Sequence, residues 1–317
     1  MNTKKYKAMF VTLRDSGEIP IDVYDLVMRE IEKDGKMTKR VYGIYLTELE
    51  KRRLFDVCTV PFDTKNSAQT DGTYKYRSKN IFKRLAHRFW FRIFKIGAYV
   101  ACALWFGVWR VKDKKKLKGI KACMTTSNHI GFLDSLFALR AIPGKQYIVS
   151  APFNCKNDLG GKILSTAGEL PLPLPNSLSG ARAFEEMLGY AVSKNAKIHF
   201  YAEKVMWIGY KKPRPYKEGA FYYADKLDVP VVSMLYCFKK PRGLRKLLHL
   251  PKMEIRIADP LYVNKELPPR ERRKDVCARA EQAVKQMYEE FYGIPLEYES
   301  LNPTDQTNET IISTEEN

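Results

Sequence analysis

Two residues five positions apart carry the first chemistry in this chain. His129 and Asp134 stand in the run Asn128-His129-Ile130-Gly131-Phe132-Leu133-Asp134. A carboxylate on one nitrogen of an imidazole fixes its tautomer and leaves the other nitrogen free to take a proton from a hydroxyl. With no serine or cysteine nucleophile in the motif, the dyad suits direct attack by a substrate's own hydroxyl on a thioester. The spacing taken by itself favours a buried, hydrogen-bonded core histidine. A second group follows at Phe200-Tyr201-Ala202-Glu203. After it comes a basic, proline-bounded loop with Lys204, Lys211, Lys212 and Arg214, then Pro215-Tyr216-Lys217-Glu218-Gly219-Ala220-Phe221. Lysines and an arginine just before a helix start suit a phosphate group, and a solvated basic loop is the plain alternative.

These residues need strands to hold them. Strand-like runs fall at 121–127, 146–151, 169–174, 197–203, 229–238 and 253–263, alternating with helical patterns at 132–141, 177–194, 219–227 and 270–292. Alternation of this kind predicts an α/β fold with a largely parallel sheet flanked by helices. His129 then sits just past the end of one strand and Glu203 at the end of another, on the edge where ligands bind in such sheets. Gly131 is expected to let the turn close so that Asp134 reaches the imidazole.

Upstream lies an unusual mixture. The chain has a formal net charge of +19, and 14 lysines or arginines against the single Asp113 fall between Arg77 and Lys121. The same segment holds Phe89-Trp90-Phe91 and an uncharged run from Ile96 to Trp109. On a helix, Phe82, Leu85, Phe89, Ile93, Ile96 and Val100 form one stripe, and Arg84, Arg88, Arg92 and Lys95 another. The apolar run is shorter than the roughly 20 residues that span a bilayer, so an N-terminal membrane-associating helical segment is expected, peripheral or monotopic on an anionic surface. A nucleic-acid partner leaves the apolar run unexplained, and no nucleic acid is expected.

The domain plan is a small unit over 1–76, the basic apolar segment over 77–118, the α/β domain over 119–294 and a disordered acidic tail over 295–317. Within the first unit, helical periodicity appears around 23–31 and 45–55, and the polar stretch 63–73 reads as a linker. The six cysteines have no Cys-x-x-Cys pair and no metal-like spacing to histidine, so no metal and no cofactor are expected. The first residues mix charged and apolar side chains rather than forming a secretory signal, which points to the cytoplasmic face of the cell membrane.

Taken together, the blocks resemble the glycerolipid acyltransferase family that includes the 1-acylglycerol-3-phosphate acyltransferases. The family's Asn-His-x-x-x-x-Asp is matched by Asn128, His129 and Asp134. Its Phe-Pro-Glu-Gly-Thr is similar to Tyr201, Ala202, Glu203, Lys204 and Val205, and its Phe-Lys-x-Gly-Ala to Tyr216 through Ala220. Its Val-Pro-Ile-x-Pro strand is similar to Val229 through Ser233. Four blocks in family order over roughly 119–240 are more specific than any one.

The resemblance implies acyl transfer from acyl-CoA or acyl-carrier protein to the hydroxyl of a lysophosphatidic acid-like acceptor in phospholipid synthesis. His129 and Asp134 would be catalytic, with Asn128, Glu203, Lys204, Arg214, Lys217 and Gly219 at the substrate. The other reading is a non-catalytic lipid-binding or membrane-tethering protein with an acyltransferase-like pocket. Ala202 and Lys204 replace the family's proline and glycine, and Met206 stands where it has arginine. The family's Gly-x-Ile-Phe-x-x-Arg block is matched only faintly by Gly168 through Pro173, with no arginine at its end. Arg214 is the candidate to replace a missing phosphate ligand.

Overall fold

Apolar residues recurring every three or four positions through the first fifty residues produce three helices: α1 (Thr3–Asp15), α2 (Ile21–Lys33) and α3 (Lys39–Lys51). Each turns one stripe inward. Phe10 and Leu13 of α1, Val23, Val27 and Ile31 of α2, and Tyr45 and Leu49 of α3 are all buried. Asn2 caps α1 by accepting from the Lys5 amide, and Thr38 caps α3 by accepting from the Val41 amide. Helix α1 was not expected, because Lys4, Lys5 and Lys7 mask a stripe of only three buried residues.

The structure, a computed structural model, describes residues 1–78, 80–156 and 158–301 and divides into two compact units. Most of the expected acidic tail, 302–317, lies outside the described residues. The helical unit contains residues 1–61 and 205–210 together with 295–301. Its core encloses Trp207, whose Nε1–H donates to the Val57 carbonyl at 3.3 Å. The Tyr42 hydroxyl accepts from the Ile208 amide, and Thr59 Oγ1–H donates to the Met206 carbonyl.

The second unit, residues 62–204 and 211–294, is the α/β layer structure. Its strands are β1 (Cys123–Ser127), β2 (Gln146–Ser150), β3 (Glu169–Pro171), β4 (Lys197–Tyr201), β5 (Val231–Lys239) and β6 (Lys252–Ile257). They form one sheet in the order β3-β2-β4-β1-β5-β6, in which only the β5–β6 pair is antiparallel. All five residues of β1 are buried, as a central parallel strand covered on both faces requires. The helices of this unit are α4 (Ile81–Leu104), α5 (Asp134–Ala141), α6 (Leu159–Thr166), α7 (Leu178–Ser193), α8 (Gly219–Lys226), α9 (Leu244–Leu247) and α10 (Pro269–Tyr292).

The expected linker 63–73 is instead packed within this unit. The Ala68 amide donates to the Pro152 carbonyl, Thr70 Oγ1–H to Leu172 O at 2.7 Å, and the nearby Tyr76 hydroxyl to Pro171 O at 3.1 Å. Thr70 and the nearby Tyr76 thus satisfy carbonyls at and just past the end of the edge strand β3.

Helix α4 carries the amphipathic pattern read from the sequence. Ala98 and Cys102 are buried, whereas Phe82, Leu85, Phe89, Ile93, Ile96 and Val100 are exposed. The Ile96–Trp109 run does not continue as one element: α4 ends at Leu104, Gly107 adopts a left-handed φ of 65°, and the Val108 amide turns back to the Cys102 carbonyl. No helix of the described residues is long and apolar enough to cross a membrane.

Candidate active site

The site is built on the carboxyl end of the central strand. After β1 the chain turns through 128–133 and enters α5 at Asp134. Asn128 anchors the turn: its Nδ2–H donates to the Tyr236 carbonyl at 3.1 Å, and its Oδ1 accepts from the Tyr236 amide at 2.9 Å. This side chain mimics one more rung between β1 and β5 and is fully buried, so it shapes the turn from below.

His129 Nδ1–H donates to Asp134 Oδ2 at 2.9 Å, and the same oxygen accepts from the amides of Ile130 at 2.6 Å and Gly131 at 3.0 Å. Three donors therefore converge on one carboxylate oxygen. Gly131 contributes its amide and has no left-handed backbone angle, contrary to the role expected for it. Burial raises the pKa of the Asp134 carboxyl, against the pull of the imidazole and the two amides. The His129 side chain remains 21% exposed. Because Nδ1 donates to the carboxylate, Nε2 is the acceptor nitrogen. No serine, threonine or cysteine among the described residues hydrogen-bonds to His129.

Strand β4 supplies the opposite wall through alternate residues on one face. Tyr201, which pairs in register with Ser127, stacks on the His129 ring with centroids 4.0 Å apart and planes 16° from parallel. His199 lies one step deeper and fully buried, between Thr125 Oγ1 at 3.1 Å and Ser127 Oγ at 3.2 Å. Burial, and then the proximity of His129, lowers its pKa to about 3, so it is a neutral structural histidine.

Glu203, two residues beyond Tyr201, accepts the His129 amide at 3.0 Å, the Arg214 amide at 2.8 Å and the Arg214 guanidinium at 2.7 Å. The side chains of Glu203 and Arg214 are each 1% exposed. These two residues were expected at the head of an acceptor. In the structure they pair with one another, and the Glu203 carboxylate also holds the backbone of the turn that carries His129.

The remaining expected residues lie close by in the chain path. Lys204 is exposed and holds a left-handed φ of 69°, so the lysine preserves the backbone angle that glycine favours at this point of the resembled block. The Lys217 amide donates to the Ala202 carbonyl, which brings the third block against the second. The Lys217 side chain is exposed, and Gly219 opens α8.

Sequence reasoning missed Tyr201 as a stacking partner, together with Ser135 and Glu169. Ser135 Oγ–H donates to Glu169 Oε1 at 3.1 Å and lies 3.5 Å from the Tyr201 hydroxyl. Burial raises the pKa of the Glu169 carboxyl despite the hydroxyls of Ser150 and Ser135. The i, i+2 recurrence of His199, Tyr201 and Glu203 was the available signal for Tyr201. Glu169 had none, since it arrives from an edge strand distant in sequence.

No family model matches the chain. A curated relative is the 1-acyl-sn-glycerol-3-phosphate acyltransferase beta of Homo sapiens, 24% identical over 130 residues, or 40% of this chain and 45% of that protein. The chain thus spans less than half the length of the curated relative it matches. Among solved structures, the 1-acyl-sn-glycerophosphate acyltransferase PlsC of Thermotoga maritima is similar with a TM-score of 0.45 and 14% identity, covering 67% of this chain and 85% of that one. The chain is similar to the glycerolipid acyltransferases, the family that its four ordered sequence blocks resemble.

Proposed function

We propose that this protein is an O-acyltransferase of phospholipid synthesis, moving a fatty acyl group from acyl-CoA or acyl-carrier protein to the free hydroxyl of a lysophosphatidic acid-like acceptor. The observation that carries this reading is the His129–Asp134 dyad, partly open to solvent at the carboxyl edge of a parallel sheet. His129 Nε2 takes the proton as the acceptor oxygen attacks the thioester carbonyl. The tetrahedral adduct then expels the thiolate, which receives the proton back from the imidazolium. Asp134 holds the ring and stabilises its transient positive charge. Glu203 and Arg214 act as positioning residues through the His129 amide.

The exposed apolar face of α4, together with the cluster Lys114, Lys115, Lys116 and Lys118, supports peripheral or monotopic attachment to an anionic membrane surface, on the cytoplasmic side. The decisive experiment incubates the purified protein with a panel of lysolipids and labelled acyl thioesters, and identifies the acylated product by mass spectrometry. Parent protein is expected to acylate at least one lysophospholipid, and His129→Ala to lose turnover while keeping its fold and its vesicle binding. Lysolipid binding without any acyl transfer by the parent would favour the non-catalytic lipid-binding alternative.

A further inference from the structure

Arg84, Arg88, Arg92 and Lys95, the basic stripe of α4, line a cleft. It lies between the amino-terminal half of α4, residues 75–78, the end of α7 and the β2–β3 edge, and encloses about 1010 Å³. Nine lysine or arginine side chains line it against one carboxylate, that of Glu169. Lys95 is committed to structure, since its Nζ donates to the carbonyls of Ile142 and Gly144 at 2.7 Å and to Gln146 Oε1 at 3.2 Å. Arg77, Arg84, Arg88, Arg92, Lys145 and Lys194 form no ion pair with any carboxylate among the described residues.

Three of these cations crowd one ring, with Arg77, Lys145 and Lys194 at 4.1, 5.4 and 5.9 Å from the Tyr190 centroid. Burial first, and then Arg88, Lys194 and Arg84, pull the Lys145 pKa below its ordinary value, with Tyr190 opposing them. Like charges gathered from several elements around a concavity repel one another, and a multivalent anion relieves that repulsion.

We infer that this cleft is a binding site for a small ligand carrying two or more phosphate groups. Two sources share that chemistry: the 3′-phosphate and diphosphate of coenzyme A, and the phosphorylated headgroup of a lipid. Glu169 ties the cleft to the surroundings of the dyad, since it lines the cleft and accepts the Ser135 hydroxyl, and Ser135 follows Asp134 in sequence and lies 3.5 Å from the Tyr201 hydroxyl. Resting on the acyl transfer proposed above, the nucleotide end of a thioester donor occupies the cleft and its arm runs past Glu169 toward His129.

The test is calorimetric titration of the full chain with coenzyme A, adenosine 3′,5′-bisphosphate and inositol trisphosphate at two salt concentrations. Parent protein is compared with Arg84→Gln/Lys145→Gln, with Arg77→Gln/Lys194→Gln and with His129→Ala. At least one probe is expected to saturate with strong salt dependence. Each double variant should raise its Kd at least about tenfold, and His129→Ala should leave it unchanged. Coenzyme A binding assigns the nucleotide source, and binding of inositol trisphosphate alone assigns the headgroup; either supports the site. Failure of every probe to saturate, or binding unaltered in both double variants, would overturn it. A parent that binds coenzyme A yet transfers no acyl group keeps the cleft and removes the acyl-transfer reading. An active enzyme whose KM values for donor and acceptor are both the same in the two double variants does the reverse.

Discussion

Asp134→Asn separates the two contributions that the aspartate makes to the dyad. Because the imidazole and both amides converge on Oδ2, an asparagine can place its carbonyl oxygen at that position and continue to accept from all three donors. The turn and the histidine tautomer then survive, and what is lost is the negative charge beside the imidazolium of the transition state. At the 2.9 Å contact, an effective dielectric of about 20 gives an attraction of about 6 kcal/mol, and at 4 Å between charge centres about 4 kcal/mol. Solvent at the 21% exposed histidine favours the lower figure, which corresponds to a fall in kcat of about 10³-fold. Asp134→Ala should fall further, since it releases the ring and the two amides as well. The assay is steady-state acyl transfer at saturating acceptor, with circular dichroism as the check on folding. A correctly folded Asp134→Asn enzyme with kcat within tenfold of the parent would refute the electrostatic role assigned to this carboxylate.

Two further outcomes follow from other parts of the structure. His199 has a folded pKa of about 3 against an ordinary 6.5, so the unfolded chain binds its proton first; the stability it allows is complete above about pH 6.5 and is lost as pH falls toward 3. Denaturant titrations should show a weaker pH slope in that window for His199→Gln than for the parent, and equal slopes would remove His199 as the source. On α4, replacing the exposed Phe82, Leu85 and Phe89 by serine should weaken binding to anionic vesicles in 1 M salt by at least about 10²-fold, each inserted side chain being worth about 1.5–3 kcal/mol. Unchanged partitioning would show that this face does not enter the bilayer.

Much of the sheet unit was legible because its signals are local. All six strands lie within the runs that alternation picked out or overlap them, and four helices fall where periodicity placed them. The dyad was legible because both partners lie on one short turn. What escaped depends on long-range pairing. Glu203 and Arg214 read as ligands of an acceptor, since nothing in the ten intervening residues announces a buried ion pair that also accepts the His129 amide. Residues 63–73 read as a linker because polar composition marks solvent exposure equally well as a strap in which the Thr70 hydroxyl and the Ala68 amide satisfy the carbonyls of Leu172 and Pro152. The basic stripe of α4 was visible as a stripe, but the cavity it lines needed Lys145 and Lys194 from remote positions.

The capture of residues 205–210 by the helical unit bears on how this gene can be cut. Trp207 is wholly enclosed in the core made by α1, α2 and α3, yet it lies in sequence between Glu203 and Arg214, the two partners that brace the His129 turn. A fragment starting at residue 62 would keep every strand of the sheet and still carry Trp207 without the three helices that bury it. Expression or domain-exchange experiments should therefore treat residues 1–61 and the segment 205–210 as one folding block.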